Sequence, residues 1–372
     1  MNKRYKVFMF SAWYPTKEDM LLGNFVQNHA KAIATLADVI VIHPIPSKNK
    51  TRTIEEKDNN SFHEIFVTYP IIKQSILNKS RLFLSIMKSY RIGIQYAIKK
   101  YGLPDICHVH IITKNILPAI QLQYKYNIPF IITEHWSRYL PENEDFNNKI
   151  QQWMVKFFAK KAVAITTVSP ILANAMQKLG IKNQYFIIPN VLDENIFRLN
   201  NTLPNNDEQK SILMIIHFDD NSKNWKDVIS TIALLSKKRK DFRLDIIGDG
   251  KEKPLAIQLV EKLQISNFVC FHSTIPNENI PEYFHKCCFS LLFSNFETQG
   301  LVLIESIACG KPIVASRFPA IEQSIGTENG ILVEPQNKQE LLFALDSMLD
   351  KYKDYSPENL RQYAINRYST SI

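Results

Sequence analysis

Short apolar runs alternate along the chain with stretches in which apolar residues recur at helical spacing. In the first half, the runs predict buried strands at 7–10, 39–43, 65–69, 106–110, 130–133, 163–168 and 185–188. The helical patterns between them fall at 24–36, 115–126 and 170–179. Continuous apolar strands between helices are typical of a parallel sheet covered on both faces. The pattern therefore predicts an α/β domain of the doubly wound class.

The same alternation restarts after a polar, turn-rich segment near residue 200. It predicts strands at 212–216, 244–247, 268–271, 289–293, 312–315 and 331–333, and helices at 227–238, 254–263, 300–309 and 338–349. We therefore expect two Rossmann-like domains at 1–198 and 211–355, a linker at 199–210, and a segment at 356–372 that returns to the first domain. In such sheets ligands bind beyond the carboxyl ends of the strands, so two facing domains form a cleft.

Composition describes a soluble globular chain, with 372 residues, 45% hydrophobic and 22% charged. No apolar run approaches the ~18 residues of a membrane span. The first apolar run follows basic residues, as in a signal peptide, but Trp13, Tyr14 and Pro15 stand where a small-residue cleavage site is required. The five cysteines show no metal-ligand spacing, which favours a reducing cytoplasm.

Positive charge is concentrated in the first half. Residues 1–200 carry 26 basic and 14 acidic side chains, a net +12, whereas residues 201–372 carry 19 and 22, a net −3. Between Glu64 and Asp105 there is no acidic residue, and apolar side chains recur there at 82, 86, 90, 94 and 98. A basic amphipathic helix is typical of contact with an anionic membrane, here through Lys79, Arg81, Lys88 and Arg91. The alternative is a helix whose apolar stripe packs on the sheet while its bases are solvated.

The most informative segment spans residues 294–316. It begins where a predicted strand ends, and Gly300 opens an apolar helix that stops at Gly310. Unpaired amides at this helix start form an anion site suited to a phosphate, at Thr298, Gln299, Gly300 and Leu301. Glu297 precedes the helix, and Glu305 lies on its second turn. A carboxylate on so apolar a helix needs a partner such as a pair of ligand hydroxyls; the alternative for Glu305 is a helix-surface position.

The two glutamates, spaced eight apart around Gly300, resemble the signature of retaining glycosyltransferases of family 4, which have the GT-B fold. Further motifs follow in family order at 11–15, 23–26, 104–110, 132–137, 168–170, 188–193, 223–224, 247–250 and 329–335. The resemblance covers nearly the whole chain. It implies two Rossmann-like domains facing across a cleft, the first on the acceptor side and the second binding a nucleotide sugar.

The resemblance also implies roles for residues of the second domain. Glu305 matches the glutamate that holds the donor ribose, and Glu297 matches the one at the hydroxyls of the transferred sugar. Lys223 matches the lysine that contacts the diphosphate, whose distal phosphate would bind the amides of residues 299–301. Relatives often carry an arginine a few residues before this lysine. Here the nearest match is His217, and Lys226 is a candidate for the missing charge.

In the first domain, the resemblance implies that His135 reaches the sugar near the reacting centre. It also implies that Gly23 lets the backbone approach the phosphates or the acceptor. His108 and His110 lie at a strand end, where packing is the simpler interpretation.

A leaving diphosphate develops negative charge, which a fixed lysine and helix amides would stabilise. The chain has no Asp-x-Asp after a strand, the usual sign of a metal-dependent transferase of the other fold, so we expect no metal and no cofactor besides the nucleotide-sugar co-substrate. Same-face attack with retained configuration is implied by the resemblance.

The sequence thus predicts a cytoplasmic glycosyltransferase, peripheral on the inner membrane, that moves a hexose to a lipid-linked glycan or surface polysaccharide such as lipopolysaccharide or capsule. Two alternatives remain open: a nucleotide-sugar epimerase of the same fold, and a catalytically silent accessory subunit, because His217 replaces an arginine. A nucleic-acid binder is disfavoured, since bases and aromatics do not interleave in a recognised module.

Overall fold

The computed structural model describes residues 4–20, 22–59, 61–72, 78–200, 209–218 and 222–370. The chain divides into two compact units, one of Met1–Tyr139 with Glu144–Ile188 and the other of Leu140–Asn143 with Pro189–Ile372. The second unit thus begins earlier than the predicted boundary at 198. Most of the predicted linker, residues 201–208, lies outside the described residues.

The first unit is built on a sheet whose described strands are β1 (Tyr5–Ser11), β2 (Ala37–Ser47), β3 (Ile54–Asp58), β4 (His63–Pro70), β5 (Ile106–His110), β6 (Phe130–Glu134), β7 (Ile165–Thr167) and β8 (Tyr185–Ile187). Their order is β3-β4-β2-β1-β5-β6-β7-β8, with β3 antiparallel to β4 and the other pairs parallel. The helices described here are α1 (Asn24–Ala34), α2 (Lys79–Tyr101), α3 (Ile116–Tyr126), α4 (Lys149–Ala159) and α5 (Pro170–Lys178).

The second unit has a parallel sheet of β9 (Lys210–Ile215), β10 (Phe242–Ile247), β11 (Val269–His272), β12 (Phe289–Leu292), β13 (Ile313–Ser316) and β14 (Gly330–Val333). In its described part the order is β11-β10-β9-β12-β13-β14. The accompanying helices are α6 (Trp225–Lys238), α7 (Lys253–Lys262), α8 (Ile280–Lys286), α9 (Leu301–Ala308), α10 (Pro319–Ser324), α11 (Lys338–Lys351) and α12 (Pro357–Tyr368). Two Rossmann-like domains, as the sequence predicted, are confirmed.

Helix α2 carries the basic amphipathic pattern, and its apolar stripe packs on the sheet. Ile86, Tyr90 and Ile94 are buried. Gly93 lies so close to the sheet that an added Cβ would be 2.7 Å from Ile42 Cγ2. The alternative interpretation, in which the apolar stripe packs on the sheet, is therefore confirmed, and contact of the bases with a membrane stays a prediction. The four predicted contact residues on this helix are exposed, namely Lys79, Arg81, Lys88 and Arg91.

The C-terminal segment packs within the second unit, where α12 lies against α9. The Leu192 amide donates to the Tyr368 carbonyl at 2.7 Å, which joins the start of this unit to its end. That the segment also returns to the first domain stays a prediction. Within the described part of the chain, no helix is both long and apolar enough to cross a membrane.

Candidate donor and acceptor sites

The carboxyl end of β12 positions the first group of predicted residues in the second unit. Beyond the strand, the Asn224 amide donates to the Phe293 carbonyl at 3.0 Å, and the Asn295 amide donates to the Ser222 carbonyl at 2.7 Å. These bonds hold the segment that precedes α6 against the segment that follows β12. Lys223 and Ser294 therefore lie side by side as a β-bridge, although they are far apart in sequence.

Lys223 and Glu297 form an ion pair at this point. The Lys223 ammonium donates a hydrogen bond to Glu297 Oε1, and the Ser294 hydroxyl donates to the same oxygen at 3.0 Å. Their side chains are only 18% and 11% exposed, so water screens the pair weakly. The structure thus joins two residues for which the resemblance implied separate contacts, one with the diphosphate and one with the sugar.

Helix α9 begins directly after this pair. Gly300 adopts the left-handed conformation, with φ of 75°, and an added Cβ would be 2.7 Å from Ile321 Cδ1. A glycine is required here because an L side chain would meet both backbone strain and a packed neighbour. The first amides of a helix lack partners within it, so the start of α9 offers backbone donors to an anion.

Gln299 is buried, and its side-chain carbonyl accepts a hydrogen bond from the Asn190 amide at 2.8 Å. This bond ties the turn before α9 to the segment after β8, so the Gln299 side chain has a positioning role that the sequence did not predict. Thr298 and Leu301, which flank the turn, are half-buried. Their predicted contacts with a phosphate stay predictions.

Glu305 lies on the inner side of α9 and is 5% exposed. The helix-surface alternative is therefore wrong. Burial raises the pKa of its carboxyl to about 8, from an ordinary value of 4.5. A carboxyl in this environment gains most from a ligand that donates hydrogen bonds to its ionised form.

The far end of α9 is fixed by Arg361 of α12. One guanidinium nitrogen donates to the carbonyls of Ala308 and Phe197 at 3.0 and 2.7 Å, and another donates to the Glu194 carbonyl at 3.2 Å. A cation at the C-terminus of a helix satisfies carbonyls that lack partners and opposes the helix dipole. Sequence reasoning missed this residue because it is 53 positions away from Ala308.

The two further candidates for donor binding are exposed. His217 follows β9, and Lys226 lies in the first turn of α6 with its ammonium 5.2 Å from the centroid of the Trp225 ring. Their roles at a diphosphate stay predictions.

In the first unit, Gly23 precedes α1 with φ of 73°. A Cβ there would be 2.4 Å from both the carbonyl carbon and the oxygen of Trp13. The close approach of these two loops requires glycine. It also places Phe25 against His135, with 4.6 Å between ring centroids.

His135 belongs to a buried histidine cluster at the ends of β5 and β6. His110 Nδ1 lies 3.0 Å from His135 Nε2, and the His29 ring centroid is 5.3 Å from that of His135. Burial lowers the pKa of His108 to about 3 and that of His110 well below its ordinary value, so both are neutral. Packing is confirmed for His108 and His110, but His110 also contacts the predicted catalytic histidine and orients it.

The Glu134 side chain holds the backbone of the segment that contains His135. Its carboxylate accepts hydrogen bonds from the amides of Ile112, His135 and Trp136, at 2.9, 3.3 and 3.3 Å. Burial raises the pKa of this carboxyl, while the nearby Arg138 and the three amides favour its ionised form. These bonds fix the backbone on which His135 is carried.

One cluster among the described residues could offer three atoms to a metal, and it lies on β10 and β11 at Asp245, Cys270 and His272. The Asp245 carboxylate already accepts hydrogen bonds from Ser211 at 2.5 Å and Arg243 at 2.9 Å, and it lies 2.9 Å from His272 Nε2. The guanidinium balances the charge of the carboxylate, so Asp245 forms a hydrogen-bonded network with Ser211, Arg243 and His272.

Both units match known protein families. Residues 195–367 match the family Glycosyl transferases group 1, and residues 22–195 match Glycosyltransferase Family 4. Together the matches span residues 22–367. The chain is a glycosyltransferase with the GT-B fold.

The relatives include an uncharacterised glycosyltransferase of Haemophilus influenzae, 29% identical over 62% of this chain and 62% of that protein. The alpha-monoglucosyldiacylglycerol synthase of Streptococcus pneumoniae is 24% identical over 61% of this chain and 55% of its own. The match thus spans less than two thirds of either relative. Among solved structures, Anabaena HepE in complex with UDP and glucose is 15% identical, with a TM-score of 0.72 over 99% of this chain and 96% of that one.

Proposed function

We propose that this glycosyltransferase transfers a hexose, with retention of configuration, from a nucleotide-diphosphate sugar to a lipid-linked glycan or surface polysaccharide. The observation that carries the proposal is the Lys223–Glu297 pair beside the start of α9. In it a cation and a carboxylate lie together beside the helix amides, at the carboxyl edge of the second sheet, where ligands of doubly wound domains bind.

The donor would be held by chemistry matched to each of its parts. Glu305 would accept hydrogen bonds from the ribose hydroxyls. Because this carboxyl is buried, those hydrogen bonds would contribute more to the free energy of binding than at an exposed site. The amides at Thr298–Leu301 and the Lys223 ammonium would take the diphosphate. Glu297 would accept from hydroxyls of the transferred sugar. Because Lys223 and the helix amides provide the positive potential, the proposed reaction requires no divalent metal and no cofactor.

In the proposed step, the bond between the anomeric carbon and the diphosphate oxygen breaks while the acceptor oxygen attacks the same face. The acceptor proton passes to the leaving phosphate oxygen. The charge on the leaving group grows beside Lys223, which is where fixed positive charge lowers the barrier. Glu297 serves in sugar binding and is not one of an acid and base pair of the glycosidase type.

The first unit would receive the acceptor, with Gly23 and His135 on its side of the reaction. The excess of 12 positive charges in residues 1–200 favours an anionic acceptor such as a lipid phosphate. The synthase of Streptococcus pneumoniae, whose name specifies a glycolipid product, supports an acceptor of the lipid class. We propose a cytoplasmic location at the inner face of the membrane, consistent with the free thiols of the five cysteines.

The test is transfer of labelled sugar from a panel of nucleotide sugars to a membrane extract, with and without a metal chelator. We expect label in lipid or glycan, unchanged by the chelator, and an anomeric proton coupling that matches the donor configuration. Inverted configuration, or loss of transfer on chelation, would refute that part of the proposal. Release of an epimerised sugar without an acceptor would identify an epimerase instead.

A further inference from the structure

Helix α4 presents its apolar residues outward. Only Val155 and Ala159 of its eleven residues are buried. Ile150, Trp153, Met154 and Phe157 are 71%, 64%, 42% and 44% exposed, and their spacing of three, four and seven places them on one face. We call these four side chains the α4 face.

The helix that carries this face is well ordered by local contacts. Its N-cap, Asn148, accepts hydrogen bonds from the amides of Ile150 and Gln151 at 2.9 and 3.2 Å. The rings of Trp153 and Phe157 stack, with 5.5 Å between their centroids and an interplanar angle of 15°. The exposed aromatic groups are therefore held in place on a formed helix.

Lysines flank the α4 face along the sequence, and the nearest acidic residues, Glu142, Glu144 and Asp145, all precede the helix. Between Asp145 and Asp193 the sequence has no aspartate or glutamate, and its lysines are Lys149, Lys156, Lys160, Lys161, Lys178 and Lys182. The Lys161 ammonium lies 5.0 Å from the ring centroids of both Phe157 and Tyr124 and donates to the Tyr124 hydroxyl at 2.6 Å. Tyr124, at 72% exposure, extends the aromatic surface onto α3.

We propose that the α4 face docks on the surface of an anionic phospholipid bilayer, with its rings among the upper acyl chains and its lysines at the headgroups. Apolar aromatic side chains bordered by lysines are the composition of an interfacial helix. In contrast to α2, whose apolar stripe is covered by the sheet, α4 leaves its stripe exposed. This inference rests on the proposed lipid-linked acceptor, which it would bring to the enzyme in the plane of the membrane.

Charge argues against a second copy of this chain as the occupant. A two-fold dimer through this face would bring the lysines of two copies to one interface, whereas α4 and the sequence after it, up to residue 192, provide no carboxylate to neutralise them. An anionic bilayer supplies that negative charge at every point of contact.

The test is co-sedimentation of the full chain with vesicles of phosphatidylcholine, with or without phosphatidylglycerol. We expect pelleting only with the anionic vesicles, reduced by salt, and at least about a tenfold lower partition for the Trp153→Ser/Phe157→Ser double variant. Phe343→Ser, which removes a ring 79% exposed on α11, is the matched control and should pellet like the wild type. Vesicle binding requires no sugar donor, so its outcome is independent of whether the proposed transfer reaction is right.

A second measurement excludes indirect effects of the substitutions. Brominated lipid should quench the fluorescence of Trp153, and this component should disappear in Trp153→Phe, which keeps an aromatic ring and should still pellet. The proposal is overturned if the wild type does not pellet with anionic vesicles or if the double variant pellets like the wild type. It is also overturned if the Trp153 fluorescence is not quenched, or if light scattering shows a wild-type dimer that the double variant dissociates.

Discussion

The Lys223 ammonium donates a hydrogen bond to the Glu297 carboxylate, and the two side chains come from the segments that follow β9 and β12, the neighbouring central strands of the second sheet. In the free protein each neutralises the other. An arriving diphosphate would compete for the Lys223 ammonium, and the sugar hydroxyls would then replace lysine protons at Glu297. The pair would therefore link binding of the phosphates to binding of the sugar.

Lys223→Met should destabilise the second unit by about 1–3 kcal/mol, because Glu297 is left as a weakly solvated carboxylate. Glu297→Gln should cost a similar amount, and the double variant less than the sum of the two. Urea unfolding measures these free energies. Lys17→Met, which breaks the exposed Lys17–Glu55 pair, is the control and should leave unfolding unchanged. Additive effects at Lys223 and Glu297 would show that the two side chains do not interact.

Glu305 should make stability fall as pH rises. Its pKa is raised from 4.5 to about 8 in the folded protein, so the folded chain keeps a proton that the unfolded chain releases. Stability is then lost progressively between these two pH values. In Glu305→Gln this loss should be absent. Thermal melting of both proteins across this pH range measures the difference, and parallel pH profiles would contradict the assignment.

Donor binding should release a proton near neutral pH. In the protein without a ligand, the Glu305 carboxyl is largely protonated near neutral pH. Hydroxyl groups of a ribose that donate hydrogen bonds to it would favour its ionised form. Calorimetric titration of a nucleoside diphosphate in two buffers of different ionisation enthalpy counts this proton. We expect a release approaching one proton in the wild type and none from this group in Glu305→Gln. Equal release in the two proteins would place the ribose elsewhere.

Gly23→Ala should cost clearly more stability than Gly180→Ala. Both glycines have positive φ, 73° and 77°, so both substitutions carry a backbone penalty of about 1–2 kcal/mol. At Gly180 the nearest atom to an added Cβ is 3.6 Å away on the flexible Lys156 side chain, whereas at Gly23 the Trp13 backbone is at 2.4 Å. Chemical unfolding of the two variants measures the difference. Equal costs would mean that the Trp13 loop moves aside freely.

Arg361→Met should destabilise the second unit by about 2–4 kcal/mol, since three carbonyls lose a charged donor. Arg367→Met is the control on the same helix, because Arg367 is exposed and lies over the Tyr363 ring. We expect the control to unfold close to the wild type. If both variants unfold alike, Arg361 does not fix the end of α9.

The sequence predicted most elements of both sheets because their strands are continuous apolar runs, as in β1 and β9. It missed β3, whose residues Ile54–Asp58 are mostly charged and pair at the sheet edge. It also missed α12, whose apolar residues show little helical periodicity. These elements depend on pairing and packing with distant segments, which a local pattern does not contain.

The candidate site was likewise predicted where its residues lie in one segment, and missed where they join distant segments. Gly300 and the two glutamates were predicted from a single segment, because a strand, a turn and a helix start lie within a few residues. The Lys223–Glu297 contact, the Gln299–Asn190 bond and the His110–His135 contact join residues 74, 109 and 25 positions apart. Such contacts follow from strand order, which is a property of the folded sheet.

We propose that the start of α9, with Lys223 and Glu305, is the donor site. Calorimetric titration of a panel of nucleoside diphosphates into the wild type, Lys223→Met, Glu305→Gln and the control Lys238→Met tests it most directly. We expect at least one diphosphate to bind the wild type and the control equally, and each site variant to bind it at least about tenfold more weakly. Binding that both site variants retain in full, or no binding by the wild type, would contradict it.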